Sequence, residues 1–319
     1  MKKSIFAFTA ALAALVACNK NDVAPMQPQN QESLVPCELT VGICGAMTKA
    51  TAVSADNEAK VNNLQVFVFR GDDLDAYASV DNAQELTLSC TAGDRVVYAL
   101  VNAPDYSAVP GKAALLAKVS ELSANSLTNF EMVSSKSVTL PQSEKVSIDV
   151  NRIASRVVLK KITRSFTSEA LQALNFKVDA IYLINVAGNT SYDLSAAPAK
   201  WYNVAENKNE LASLLYDAPA SLITNGQSYS TAHTFYAYPN DLATNTTRLV
   251  IETTLGETKY YYPINLPEMA ANKSYEIEEV KITRPGSDNP DEPVSFADAT
   301  FSINVIDWTV VPVTEGTTI

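Results

Sequence analysis

Histidine is almost absent from this chain, with His233 alone in 319 residues, and glycine is scarce at ten. One histidine, set in the strand-like run HTFYAYPN, leaves no His/Cys/Asp cluster with metal-ligand spacing. Ten glycines leave no glycine-rich loop ahead of a helix to cradle a phosphate. Four cysteines, widely scattered, are too few for a disulfide scaffold. Basic charge is also short: 24 Lys and Arg against 35 Asp and Glu give a net charge of −11, which argues against nucleic acid as a partner. Carboxylates come singly or as neighbours such as Asp72-Asp73, Glu278-Glu279 and Asp291-Glu292, which read as solvated turns and disfavour a glycosidase pair. These absences point to a protein that is not an enzyme and needs no cofactor or metal.

A hydrophobic content of 47% with 18% charged residues describes a folded chain, and its length favours two domains. Long apolar runs are missing too. The apolar stretch from Ile5 to Ala17, behind Lys2 and Lys3, is too short to span a bilayer and reads as a signal peptide. It ends in Leu15-Val16-Ala17-Cys18, similar to the lipobox of bacterial lipoproteins, in which a small residue precedes an acylated cysteine. Cys18 is therefore the expected lipidation site, and residues 1–17 the expected leader. Asn19 in place of an aspartate favours the outer membrane. The Asn-, Gln- and Pro-rich residues 19–33 have little to bury and read as a tether.

From Leu34 the pattern changes to alternation. Val35, Cys37, Leu39, Val41, Ile43 and Met47 share one face, with Glu38, Thr40 and Gly42 on the other, as in a half-buried strand. The strand runs into Lys49-Ala50-Thr51 and a polar stretch to Lys60 without periodicity. Two readings fit: an ordinary first strand with a solvated loop, or a strand followed by a site for a trypsin-like protease. Val61–Arg70 is apolar on both faces, which predicts a strand inside a sandwich. Short strands are predicted at Glu85–Cys90, Arg95–Asn102, Ser137–Leu140 and Lys145–Val150, with a helix over Lys112–Leu122. Beyond Asn151, strands are predicted at Arg152–Ile162, Phe176–Val186, His233–Tyr238, Arg248–Leu255, Thr258–Ile264 and Lys273–Thr283, with a short helix near Glu169–Leu174. The expected fold is mainly all-β: two β-sandwich domains, residues 50–150 and 151–283, with one or two short helices. The Pro-rich residues 284–298 read as a stiff linker. The strand beyond it, within residues 299–319, reads as an appendage free to pair elsewhere. Tyr260, Tyr261 and Tyr262, with Trp201 and Tyr202, either stack on sugars or alternate across a sheet with one face packed and one wet. Cys90, at a strand end, reads as a buried free thiol.

Several segments, in order, carry a resemblance: the lipobox, TKAT, VNNLQVFVF, NRIASRVVLKKI, FYAYPN, LVIETTLGETKYYYPINLP, NKSYEIEEVKITRPGSDNPDEP and FSINVIDW. Together they resemble the major fimbrial subunits, or fimbrillins, of Bacteroidales type V pili, over nearly the whole chain. The resemblance implies two transthyretin-like β-sandwich domains and a life as a pilus subunit. It implies a lipidated outer-membrane precursor and cleavage between Lys49 and Ala50 by a trypsin-like protease. Residues 18–49 would leave as a propeptide, and with them the strand carrying Cys37, Leu39, Val41, Ile43 and Met47. Another copy would then refill the groove with a donor strand carrying Phe301, Ile303, Val305, Trp308, Val311 and Val313. The best-studied relatives of that family are cut after Arg, whereas the basic residue here is Lys49. The implied partners are further copies of the chain, accessory fimbrial subunits and the protease, with adhesion and biofilm formation in an extracellular fimbrium as the outcome. The alternative is a tip or accessory adhesin, or a glycan-binding surface lipoprotein. No receptor is indicated.

Overall fold

The computed structural model describes residues 34–44, 55–204, 207–241, 243–292 and 298–308. The first strand, β1 (Pro36–Cys44), is followed by a single helical turn, α1 (Ala55–Glu58). Then come β2 (Asn63–Arg70), β3 (Asp73–Asp81), β4 (Glu85–Thr91) and β5 (Gly93–Val101). Next are α2 (Lys112–Leu116), β6 (Val119–Glu121), β7 (Met132–Leu140), β8 (Val146–Asp149) and β9 (Asn151–Arg152). The chain continues through β10 (Ser155–Leu159), β11 (Ile162–Arg164), α3 (Glu169–Gln172) and β12 (Phe176–Ile184). The later long strands are Arg248–Leu255, Thr258–Asn265, Lys273–Ile282 and Ala299–Asp307, with the shorter His233–Ala237 ahead of them. The expectation of a mainly β protein holds, with four short α-helices among the described residues where one or two were foreseen.

From Val35 onward the described residues pack as one compact unit around two large apolar cores and a small third cluster at Ala180, Tyr182, Ile184 and Val250. A sheet in the order β4-β1-β8 covers one face of a five-stranded sheet in the order β3-β2-β5-β7-β9. The doubly apolar pattern of residues 64–69 explains the layering. Leu64, Val66 and Val68 face the smaller core with β1, while Phe67 and Phe69 face the larger one. A strand with both faces covered buries side chains on each, and Gln65, the polar exception, donates to the Ala103 and Pro104 carbonyls.

The larger core lies mainly between two further sheets. In one, β10 and β11 run parallel to Lys273–Ile282, and His233–Ala237 lies antiparallel to β10. The other joins β12 to Arg248–Leu255 and on to Thr258–Asn265. Leu255 pairs with Thr258 across a two-residue turn in which Gly256 takes φ +63°, as its sequence predicts.

Three expectations are corrected. The helix foreseen over Lys112–Leu122 ends at Leu116, because Val119–Glu121 pairs with Asn189–Ser191 and Ser120 bonds to Glu131 in the interior. Tertiary pairing there overrides local helix propensity. The single strand foreseen over Arg152–Ile162 is three: β9 pairs with β7, and β10 and β11 follow one another in a single register along Lys273–Ile282. The polar stretch to Lys60 is not all solvated, since Glu58 is buried.

One ion pair secures the end of β4. Asp75 accepts hydrogen bonds from the Thr91 amide (2.9 Å), the Thr91 hydroxyl (2.6 Å) and Arg95 Nε (3.0 Å), with both charged side chains buried. Burial alone would raise the Asp75 carboxyl, but the Thr91 bonds and Arg95 together hold it below the usual aspartate value. A depressed folded value means stability present above the unfolded pKa, near 3.8, and lost as pH falls through the folded one. Asp75→Ala is therefore expected to cost about 3–5 kcal/mol at pH 7 by leaving Arg95 buried without its partner. The gap to the intact protein should narrow at pH 3, and urea titrations at the two pH values measure it.

Candidate functional site

β1 occupies the middle of its sheet. It runs antiparallel to β4, with Cys37 opposite Cys90 and Leu39 opposite Leu88, and parallel to β8, with Val41 beside Val146 and Ile43 beside Ile148. Alternation turns Leu39, Val41 and Ile43 inward to 2%, 0% and 8% exposure, against Leu64, Val66, Val68, Val97 and Ala99 below. Cys37 is half-buried, and Val35 is exposed. On the outer face the Thr40 and Thr87 hydroxyls meet at 2.8 Å. Lys145 reaches Glu85 at 2.8 Å across β1, passing over Gly42, where a Cβ would come within 2.9 Å of the lysine chain. Met47, Lys49 and Ala50 lie outside the described residues, as does Cys18.

The terminal strand Ala299–Asp307 is not free. It lies antiparallel to Lys273–Ile282 as the edge of that sheet, in its own chain. Its apolar row is held lightly: Phe301 and Ile303 are half-buried, while Val305 and the neighbouring Ile306 are each 48% exposed. The expected appendage thus has a seat, because β10 and β11 line only one edge of Lys273–Ile282. Val311 and Val313 lie outside the described residues.

The strand is anchored just beyond its end. Trp308 is 1% exposed, with Arg152 stacked 4.5 Å and Arg156 5.4 Å from its ring centre, and Phe130 and Tyr236 beside it. Its indole N–H donates to Glu58 Oε2 at 3.2 Å. Glu58 also receives Arg156 Nη1 (3.1 Å) and the Tyr236 hydroxyl, and its carbonyl accepts from Arg152 Nη2 (2.9 Å). Burial pushes the Arg152 guanidinium down to about 10, with Glu58 opposing and Arg156 adding to the effect. The first described turn after the Lys49–Ala50 bond and the residue just beyond the last described strand thus share one buried cluster. Sequence reasoning missed Glu58, Arg152, Arg156 and Tyr236. Two arginines four apart in the apolar run NRIASRVVL were the available signal, and Glu58 gave none.

Elsewhere the chemistry is structural. His233 is buried with Nδ1 2.7 Å from Asp217 and its ring stacked on Tyr229. Tyr262 is fully buried and donates to the Arg284 carbonyl, while Tyr260 and Tyr261 are half-buried against separate clusters, so the three alternate across a sheet. Among the described residues no acidic, histidine or cysteine group could hold a metal, and no helix is long and apolar enough to cross a membrane.

Residues 38–160, which contain most of β1 with both of its partner strands, match the family model of the Major fimbrial subunit protein (FimA). The fimbrillin resemblance is borne out. The fimbrillin fold extends well beyond that segment. A fimbrilin (fimA) from Porphyromonas gingivalis W83 is 15% identical with a TM-score of 0.63, covering 86% of this chain and 98% of its own. A candidate cell adhesion protein from Bacteroides eggerthii DSM 20697 is 21% identical with a TM-score of 0.68, covering 88% and 99%. One from Parabacteroides distasonis ATCC 8503 is 18% identical with a TM-score of 0.65, covering 86% and 97%.

Proposed function

We propose that this fimbrillin-like chain is a polymerising subunit of a surface fimbrium, made as an outer-membrane lipoprotein and switched on by losing its first strand. A trypsin-like protease cuts between Lys49 and Ala50. The strand bearing Cys37, Leu39, Val41, Ile43 and Met47 departs, and the terminal strand of another copy, from Phe301 through Trp308 to Val313, fills the groove. Accessory subunits complete the fimbrium, which serves adhesion and biofilm formation. A division near Val150 into two sandwich domains belongs to the same reading.

One observation carries it: β1 is the central strand of its sheet, so its loss opens a slot with unpaired backbone on both sides and an apolar floor. Strand addition answers both needs, with backbone bonds giving affinity and alternate side chains giving register. The terminal strand is the natural donor because it sits at an edge with Val305 and Ile306 in solvent. Contacts made head to tail do not close and so build a filament.

Limited trypsin digestion of delipidated precursor, followed by electron microscopy, tests the proposal. Filaments should appear only after the cut, and cleaved protein that remains monomeric at high concentration would count against it. The anchor has its own test. Cys18→Ala should abolish incorporation of radiolabelled palmitate, and label entering the variant would refute lipidation at that residue.

A further inference from the structure

Cys37 and Cys90 face each other across β1 and β4, the two strands whose separation the proposed function requires. They are direct register partners, 53 residues apart in sequence, with Sγ atoms 3.7 Å apart. The bonds Ala92 N–H to Val35 O and Ile43 N–H to Gln84 O set the ladder's phase, which makes Cys37 and Cys90 a hydrogen-bonded pair. Cα atoms in such pairs lie about 5.5 Å apart, inside the range a disulfide spans. Directly opposite Cβ atoms lie about 4.5–5.5 Å apart, farther in hydrogen-bonded pairs, so closing the sulfur gap to about 2.05 Å takes side-chain rotation plus about an ångström of approach between β1 and β4. Cys44 has no such partner among the described residues and contacts the Ile148 carbonyl instead.

We propose that Cys37 and Cys90 form a disulfide in the folded precursor, closed by a disulfide-bearing oxidant, which ties β1 to β4. The two thiols differ in access: Cys37 is half-buried, whereas Cys90 is 5% exposed and its thiol is pushed up by burial and by Cys37. Cys37 therefore attacks first. Its thiolate forms a bond to one sulfur of the oxidant, whose own S–S bond breaks and whose other sulfur leaves as a thiolate and takes a proton. Cys90, deprotonated, then attacks Cys37 Sγ and expels the remaining oxidant sulfur. The two cysteines lose two electrons and two protons, and the oxidant's two sulfurs end as thiols.

The consequence rests on the strand-loss reading. Cleavage after Lys49 would cut the backbone but leave β1 covalently held, so assembly would need a reductant as well as a protease. This adds a second condition for opening the groove.

The test treats the folded full-length chain with oxidised glutathione, alkylates free thiols and maps peptides by mass spectrometry. A linked pair containing Cys37 and Cys90, absent in Cys37→Ser, is the expected result. Both thiols alkylated after that treatment would overturn the proposal. The oxidised protein is then cut with trypsin and run with and without dithiothreitol. The first-strand fragment should stay attached without reductant and be lost with it, and a fragment released without reductant would also overturn the proposal. Filament counts separate the two ideas. A linked pair whose reduction releases the fragment but yields no filaments leaves the disulfide standing and the assembly reading fallen. Filaments from cleaved protein whose thiols never link do the reverse.

Discussion

A chain that begins at Ala50 is expected to lose the cooperative melting of its N-terminal β layers until a strand is supplied. Three side chains leave the interior, Leu39, Val41 and Ile43, each nine-tenths or more buried. At about 1.5–3 kcal/mol apiece their loss comes to roughly 5–9 kcal/mol, an upper figure because unfolded chains already bury some apolar surface. That approaches the whole stability of an ordinary domain, about 5–15 kcal/mol. The backbone cost adds to it, since β4 and β8 both lose their ladder partner. Calorimetry of the shortened chain, alone and with synthetic peptides covering residues 34–47 or 299–313, measures the effect. Each peptide should restore a single sharp transition. A shortened chain that melts like the intact one would show that β1 is dispensable, and the strand-loss mechanism would fail with it.

A chain ending at Val294 should be cut normally after Lys49 and form no filaments. It retains the groove and lacks the strand Ala299–Asp307 together with Trp308. Mixed with intact cleaved subunits, it should accept a donor and offer none, capping filaments and shortening them in proportion to its share. Normal filaments from the truncated chain alone would rule out the terminal strand as donor. Stability has to be read in parallel, because Trp308 fills the space over Arg152 and Arg156. Trp308→Ala is expected to cost about 3–5 kcal/mol, measured by urea unfolding. Trp308→Phe should cost less, since it keeps a ring over the arginines and loses the bond to Glu58. A truncated chain that remains folded by circular dichroism yet does not polymerise isolates the missing donor as the cause.

The contrast between those two strands also explains what could be read from sequence. Residues 64–69 and the row Leu39, Val41, Ile43 announced themselves because burial on a pleated strand imposes a period of two, or none when both faces are covered. By contrast, the edge strand β3 alternates Leu74, Ala76, Ala78 and Val80 with Asp73, Asp75, Tyr77, Ser79 and Asp81, a pattern carried mostly by small residues, and it was missed. Its apolar side chains pack only partly buried, Ala76, Ala78 and Val80 against the smaller core and Leu74 and Tyr77 against the larger, while backbone pairing to β2 and the buried Asp75 carboxylate help to hold it. The terminal strand was visible as a strand, but not its seat, because pairing between residues 273–282 and 299–307 leaves no mark on either segment alone. The cluster around Glu58 was hidden for the same reason: its members are 94, 98, 178 and 250 residues away along the chain. Cys37 and Cys90 were each legible as thiols on strands, whereas their facing register depends on how β1 lies against β4.

The 250-residue separation between Glu58 and Trp308 also sets an order in time. A chain emerging from its N-terminus presents Glu58 first, the two arginines next and the indole last. Closing so long a loop costs only slightly more entropy than closing a shorter one, but it cannot happen before the far end arrives. Contacts this distant are slow to form, and until they do the surfaces they cover remain open. Arg152 and Arg156 can pack with Glu58 and Tyr236 beforehand, yet they have no cover until residue 308 is delivered. A chain stalled short of that point would display an unsealed pair of arginines, and would differ from a finished one before it met another copy.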